Sequence, residues 1–382
     1  MRFVRLVGIS AVSGGLLAGA ACGGGGTGSL VAEKKDATIT VSPADGTGKA
    51  RPDARVRVTV ADGELTDVKV TGGGEEVGGT FDRGRVAWVA EGGLAPSTGY
   101  TVTATAANGD GEKTTVTTAF TTLTPAKPLS VTDVTPGIKG ETVGVGMPII
   151  VTLNRAVTDR DAVVHALKVT AEKPVEGAWR WLSPTRLVYR TRTYWPAHQK
   201  VRLDAELTGV KAGAGIYGVA GRSWSFDVGA AQITTVDVRR HTMTVRRDGE
   251  VVKTTPISAG NGTTREYTTT NGVHLVMGKS NPETMISPGK KPGDPGYYKI
   301  IANYAVRFSA SGEYVHSAPW SVGSQGRANV SHGCVNASPA AAKWFYDQSQ
   351  RGDVIKVTGT DRELEPGNGW GYWQIPFSSW AN

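Results

Sequence analysis

From Arg55 to Val60 the chain reads RVRVTV, a strict polar–apolar alternation, and the same two-residue period returns in Tyr100–Ala104 (YTVTA) and along Thr115–Thr122. A period of two puts every apolar side chain on one face of an extended strand; a helix needs a period of 3.6. Ala37–Val41, Val68–Val70 and Val86–Val89 add further short runs, and Asp62-Gly63, Gly72–Gly74 and Asn108-Gly109 supply turn signals between them. Short strands at this spacing predict an immunoglobulin-type β-sandwich over residues 36–124, with no cysteine pair to staple it. Long apolar heptads are absent, and Gly 51 with 20% charged residues fits a loop-rich β protein. A chain of 382 residues has room for two or three such domains.

Pro125–Pro128 reads as a linker, and strand signals resume over residues 129–229 at Pro148–Leu153, Ala166–Val169, Ala178–Trp181, Arg186–Tyr189, Lys200–Leu207 and Trp224–Val228. Asp159–His165 suits one helical turn, and Gly213–Gly218 reads as loop. Trp179, Trp181, Tyr194 and Trp195 have the chemistry of a sugar-stacking platform, but core packing is the expected role of such a cluster. His165 and His198 read as surface or packing residues.

A third module is predicted over residues 230–358. Thr234–Val238, Thr242–Arg246 and Glu250–Ser258 alternate as a meander with Asp248-Gly249 at a hairpin turn. Gly260–Gly272 follows, then a strand Val273–Met277 in which His274 is expected to be a packing residue. Ser280–Tyr298 is a long segment punctuated by Pro282, Pro288-Gly289, Pro292-Gly293 and Pro295-Gly296, and such a loop in a compact domain is usually functional or disordered. Strands Ala302–Ser309 and Tyr314–His316 come next. Pro339–Gln350 is the one good helix, with Pro at its start and Ser338 as N-cap. Asp353–Val357 is the last strand. The remaining residues, 359–382, carry Trp370, Tyr372, Trp373 and Trp380, too much apolar surface to leave in water, so the tail should pack on the modules before it.

The chemistry concentrates in Val315–Ser338. It holds Cys334, one of two cysteines, and His316 and His332, two of six histidines. A thiol attacks carbonyls as thiolate, and a nearby imidazole either takes its proton or, as imidazolium, holds the thiolate. His316 is far enough upstream to face Cys334 from a neighbouring strand. His332 and Cys334 share a face if their segment is extended. Gly333 between them lets a substrate approach the backbone closely. Ser317, Ser331, Asn336 and Ser338 are small polar groups suited to orienting an imidazole or binding a carbonyl.

His316-Ser317, a spacer, and then Ser331-His332-Gly333-Cys334-Val335-Asn336 resemble the L,D-transpeptidase signature: a His, an interval, then Ser/Thr-His-Gly-Cys-hydrophobic-Asn. The resemblance covers Ala230 to the C-terminus, and two β-modules ahead of it with a Trp-rich tail behind resemble the actinobacterial members. It implies a mainly β protein with two immunoglobulin-like sandwiches and a β-rich catalytic domain. It implies an exported cysteine acyltransferase forming 3→3 peptidoglycan cross-links, with Cys334 as nucleophile and His316 as acid/base oriented by the Ser317 carbonyl. Backbone N–H groups at Gly333 and Cys334 and a lid tyrosine, Tyr298 with Tyr297 as rival, would hold the oxyanion. Ser331, His332 and Asn336 would serve substrate binding and loop shape. Its partners would be a donor tetrapeptide stem and an acceptor diaminopimelate amine, with carbapenems as covalent inhibitors. No cofactor is called for; His316, His332 and Cys334 lack a fourth ligand at metal-binding spacing. An L,D-carboxypeptidase, a wall-protein attachment enzyme and a non-catalytic wall-binding lipoprotein are the alternatives.

The N-terminus fits that setting. Residues 1–21 read as an export signal, with Arg2 and Arg5 ahead of a short apolar run too short to span a bilayer. Cys22 at its end, followed by Gly23–Gly26, resembles a lipoprotein processing site, so residues 22–35 are expected to be a lipidated cysteine and a flexible tether on the outer face of the cytoplasmic membrane. The net charge of +8 favours an anionic wall or membrane surface. Nucleic acid is not an expected partner, because no basic arm or nucleic-acid motif appears.

Overall fold

The computed structural model describes residues 35–287 and 290–381. The expected export signal, Cys22 and most of the tether lie outside the described residues.

Alternation becomes strand wherever one face can be buried. In Arg57–Ala61 the apolar Val58 and Val60 are buried while Arg57 and Ala61 are exposed. The strands of residues 38–121 form two four-stranded sheets that close over Val58, Leu65, Trp88 and Val102. Residues 131–228 make a second pair of four-stranded sheets around Val151, Leu187, Leu203 and Phe226. Both are immunoglobulin-like sandwiches. Asp159 caps the short helix Arg160–His165 by accepting from the Ala162 N–H. Trp195 is 3% exposed and donates its indole N–H to the Met147 carbonyl at 2.7 Å. Trp179, Trp181 and Tyr194 pack against the same core, so these aromatics are packing residues.

Two loop readings give way here. The Pro125–Pro128 linker runs into a strand, Lys127–Leu129, and Gly213–Gly218 forms half of a hairpin, Lys211–Gly213 with Ile216–Gly218. Lys127–Leu129 is the edge of this small sheet, where Pro128 sacrifices no ladder bond, and Leu129 is fully buried.

The third module is built on a nine-stranded sheet among the described residues. At its heart Gln232–Asp237, Thr242–Arg247 and Glu250–Ser258 form the expected meander. Glu250–Ser258 then pairs with Val335–Ala337, which pairs in parallel with Tyr314–Ser317. The helix Pro339–Gln348 buries Ala341, Ala342 and Phe345 against this sheet, and Ser338 caps it by accepting from the Ala341 N–H. His274 is buried with its ring edge-on to Phe308.

The segment Ser280–Tyr298 is not simply a loop. Glu283–Ile286 pairs antiparallel with Lys299–Ala302, so Pro292-Gly293 and Pro295-Gly296 lie in the connection of a β-hairpin. Pro282, Pro292 and Pro295 fall outside the two strands, and Met285 and Ala302 turn inward to a small apolar cluster. The expected strand Ala302–Ser309 is broken at Tyr304, which takes a φ of 53°.

The tail docks as expected and does so on two modules. Trp380 is fully buried and its indole donates to the Ala178 carbonyl; the Trp373 indole donates to the Gly146 carbonyl. Both acceptors lie in the second sandwich. Gln374 accepts from the Val273 N–H of the third module at 2.9 Å.

Candidate active site

The parallel pairing of Tyr314–Ser317 with Val335–Ala337 sets Val315 opposite Val335 and His316 opposite Asn336. Residues two apart on a strand face the same way, so Tyr314, His316, Cys334 and Asn336 share one side of the sheet. This brings together two residues separated in sequence by the spacer.

His316 is 2% exposed, and its Nδ1 lies 3.0 Å from the Ser317 carbonyl. A carbonyl only accepts, so Nδ1 carries the proton and Nε2 is left as the basic nitrogen. Burial lowers the ring's affinity for a second proton, and the Ser317 carbonyl and the Asn336 side chain offset part of that. The imidazole is therefore neutral near pH 7.

Cys334 keeps part of its surface open, and its Sγ donates to the Gly312 carbonyl at 3.7 Å. Burial raises the thiol to about 12; the Tyr314 N–H works against that and the Glu313 carboxylate adds to it. Both shifts favour the uncharged forms, a thiol beside a neutral imidazole.

The sulfur opens on a cavity of about 500 Å³ roofed by the hairpin. His332, Tyr298 and Cys334 are on its walls; His316, Ser317, Ser331, Gly333 and Asn336 are not. The His332 ring is sandwiched between Tyr267 at 4.4 Å and Tyr298 at 4.9 Å. Burial above all, with Cys334 and Tyr267 close by, raises the Tyr298 phenol to about 12, so it is a hydrogen-bond donor at any ordinary pH. Tyr297 is absent from the walls, and of the two tyrosines Tyr298 is the one that faces the sulfur.

Three of the expected substrate contacts point elsewhere. Ser331 Oγ accepts from the Gly333 N–H at 3.1 Å and donates to the Cys334 carbonyl, so it folds the loop upon itself. The same bond occupies the Gly333 N–H, one of the two donors expected for an oxyanion, and leaves the Cys334 N–H as the backbone candidate. Asn336 is 3% exposed and donates to Ser321 Oγ, which places it behind His316 rather than in the cavity. Among the described residues no group of three or more His, Cys, Asp or Glu could hold a metal ion.

Residues that no motif marked complete the site. Tyr267, Lys290, Gly312, Glu313 and Arg362 line the cavity. Lys290 falls in the Pro-Gly-punctuated segment Ser280–Tyr298 and Tyr267 in Gly260–Gly272; Gly312, Glu313 and Arg362 carry no sequence signal. Glu313 is buried with its carboxylate on the Thr270 N–H and hydroxyl, at 2.7 and 2.6 Å.

Residues 231–357 match the family model described as the L,D-transpeptidase catalytic domain, and residues 47–211 match the bacterial Ig domain. L,D-transpeptidase 2 of Mycobacterium tuberculosis is 38% identical over 346 residues, covering 90% of this chain and 83% of that protein. A solved L,D-transpeptidase in complex with imipenem shares 37% identity with a TM-score of 0.52, over 60% of this chain and 99% of that one. L,D-transpeptidase 3 of Mycobacterium tuberculosis, solved with a faropenem-derived adduct, gives 31% identity and a TM-score of 0.50, over 60% of this chain and 98% of that one.

Proposed function

Because the chain belongs to the L,D-transpeptidase family, we propose that it forms 3→3 peptidoglycan cross-links through a thioester on Cys334. The observation that carries this is the neutral His316, its Nδ1 tied to the Ser317 carbonyl, on the strand paired beside a thiol that opens into a roofed cavity.

Cys334 Sγ attacks the carbonyl of the L-centre of diaminopimelate at the third position of a donor tetrapeptide. His316 Nε2 takes the thiol proton as the S–C bond forms, so no free thiolate is needed. The Cys334 N–H and the Tyr298 hydroxyl hold the tetrahedral oxyanion. His316 returns the proton to the leaving nitrogen, the C–N bond breaks, and D-Ala departs. The side-chain amine of a second stem then attacks the thioester, His316 accepts its proton, the C–S bond breaks, and the proton returns to sulfur. β-Lactams of carbapenem type would acylate the same thiol. Delivery to the wall would rest on the export signal and lipidation of Cys22, read from the mass of the mature N-terminus.

Mass spectrometry of the full chain with a disaccharide tetrapeptide, beside Cys334→Ala, tests the reaction. The expected result is a cross-linked dimer with loss of D-Ala, absent in the variant. Tripeptide alone would make the enzyme an L,D-carboxypeptidase, and no turnover by folded protein with free and amidated acceptors would overturn the proposal.

A further inference from the structure

We propose that Thr269 is a positioning residue that aims the Cys334 N–H at the developing oxyanion; this rests on the reading of Cys334 as nucleophile. Gly333 has a φ of 122°, a conformation that glycine tolerates and that leaves the peptide after it without side-chain restraint. The Gly333 carbonyl and the Cys334 N–H are opposite ends of that one planar unit, so whatever holds the carbonyl also directs the N–H. What holds it is the Thr269 hydroxyl, which donates to the Gly333 carbonyl at 2.8 Å. The same oxygen accepts from the Gly260 N–H at 2.9 Å, so its donor has one direction left to point. Thr269 is 0% exposed, which keeps water from replacing either bond.

Thr269 is itself anchored on its following peptide. The Thr360 hydroxyl donates to the Thr269 carbonyl at 2.8 Å, and the Thr270 N–H donates to the Glu313 carboxylate at 2.7 Å. The peptide before Gly333 is held separately by Ser331 Oγ. Without the Thr269 hydroxyl the Gly333–Cys334 peptide is free to rotate. A rotated peptide turns its N–H away from the oxyanion and can present a carbonyl oxygen, which repels negative charge.

Two reagents on the full chain separate this role from a merely structural one. Imipenem acylation passes through an oxyanion at a carbonyl; iodoacetamide alkylation of the same thiol does not. Thr269→Val keeps the shape and loses the hydroxyl; Thr269→Ser keeps the hydroxyl. In Thr269→Val, acylation of Cys334 measured by intact mass should fall about ten-fold or more while alkylation stays at the wild-type rate, and Thr269→Ser should restore acylation. Equal loss in both reactions, or no loss in acylation, would overturn the inference while leaving the proposed function standing. Wild type that is alkylated but never acylated would remove the reading beneath it and the inference together.

Discussion

At the scale of single residues the site is set by two environments that pull the same way. Burial lowers the basicity of His316 and raises the Cys334 thiol to about 12, and both effects favour the uncharged form. The sign of the pH dependence follows. Acid protonates His316 and removes the base, but only below its ordinary value near 6.5, so the acylation rate should be level through neutral pH and fall on the acid side of that value. Stopped-flow acylation by imipenem across pH reads this, and a fall-off centred above 6.5 would contradict a depressed imidazole. The thiol makes a second expectation. Iodoacetamide alkylation of Cys334 should keep rising with pH beyond 10 without a plateau, whereas a thiol at its ordinary 9.0 would level off there. Tyr298, a protonated phenol stacked on His332 beside the sulfur, is proposed as an oxyanion donor. Tyr298→Phe should slow acylation by about 10²-fold, with Tyr297→Phe unchanged.

At the scale of elements, the site depends on pieces that carry no chemistry. The hairpin Glu283–Ile286 and Lys299–Ala302 roofs the cavity and delivers Tyr298, whose N–H is held by Ser287 Oγ at 3.0 Å. The turn Ser309–Glu313 presents the Gly312 carbonyl to the thiol. That turn is braced by the tail: the Ser311 N–H donates to Asn368 Oδ1 at 2.8 Å and Asn368 Nδ2 donates to Ser311 Oγ at 3.0 Å. The tail therefore does more than stiffen the molecule. Asn368→Ala removes two hydrogen bonds worth about 0.5–1.5 kcal/mol each, and loosening the turn should slow acylation roughly two- to ten-fold with the fold intact by circular dichroism.

At the scale of the whole molecule, the second sandwich and the third module share a core. Leu275 and Val354 of the third module join the second sandwich's apolar cluster, and the Gly144 and Gly146 N–H groups donate to the Arg351 and Gly352 carbonyls. The Arg351–Glu141 ion pair at 3.1 Å lies largely out of water. Trp380 pins the tail to the second sandwich, packed with Ile150 and Val188 and with the Arg190 guanidinium over its ring. Trp380→Ala should cost about 3–5 kcal/mol, read as a lowered unfolding midpoint in urea, and a loss under 1 kcal/mol would mean that Trp380 does not anchor the tail on the second sandwich. The strand periods, the helix with its Ser338 cap and the run from Ser331 to Asn336 were legible in the chain because each is a relation between near neighbours: a period, a cap, a spacing. Tertiary structure decided what depends on residues far apart. It turned a Pro-punctuated loop into a hairpin, chose Tyr298 over Tyr297, and moved Asn336 from the substrate to the back of His316. It also brought Thr269, Glu313 and Asn368 to the site. None of these has a local signal, because hydrophobic periodicity reports which face of an element is buried and says nothing of which distant element buries it.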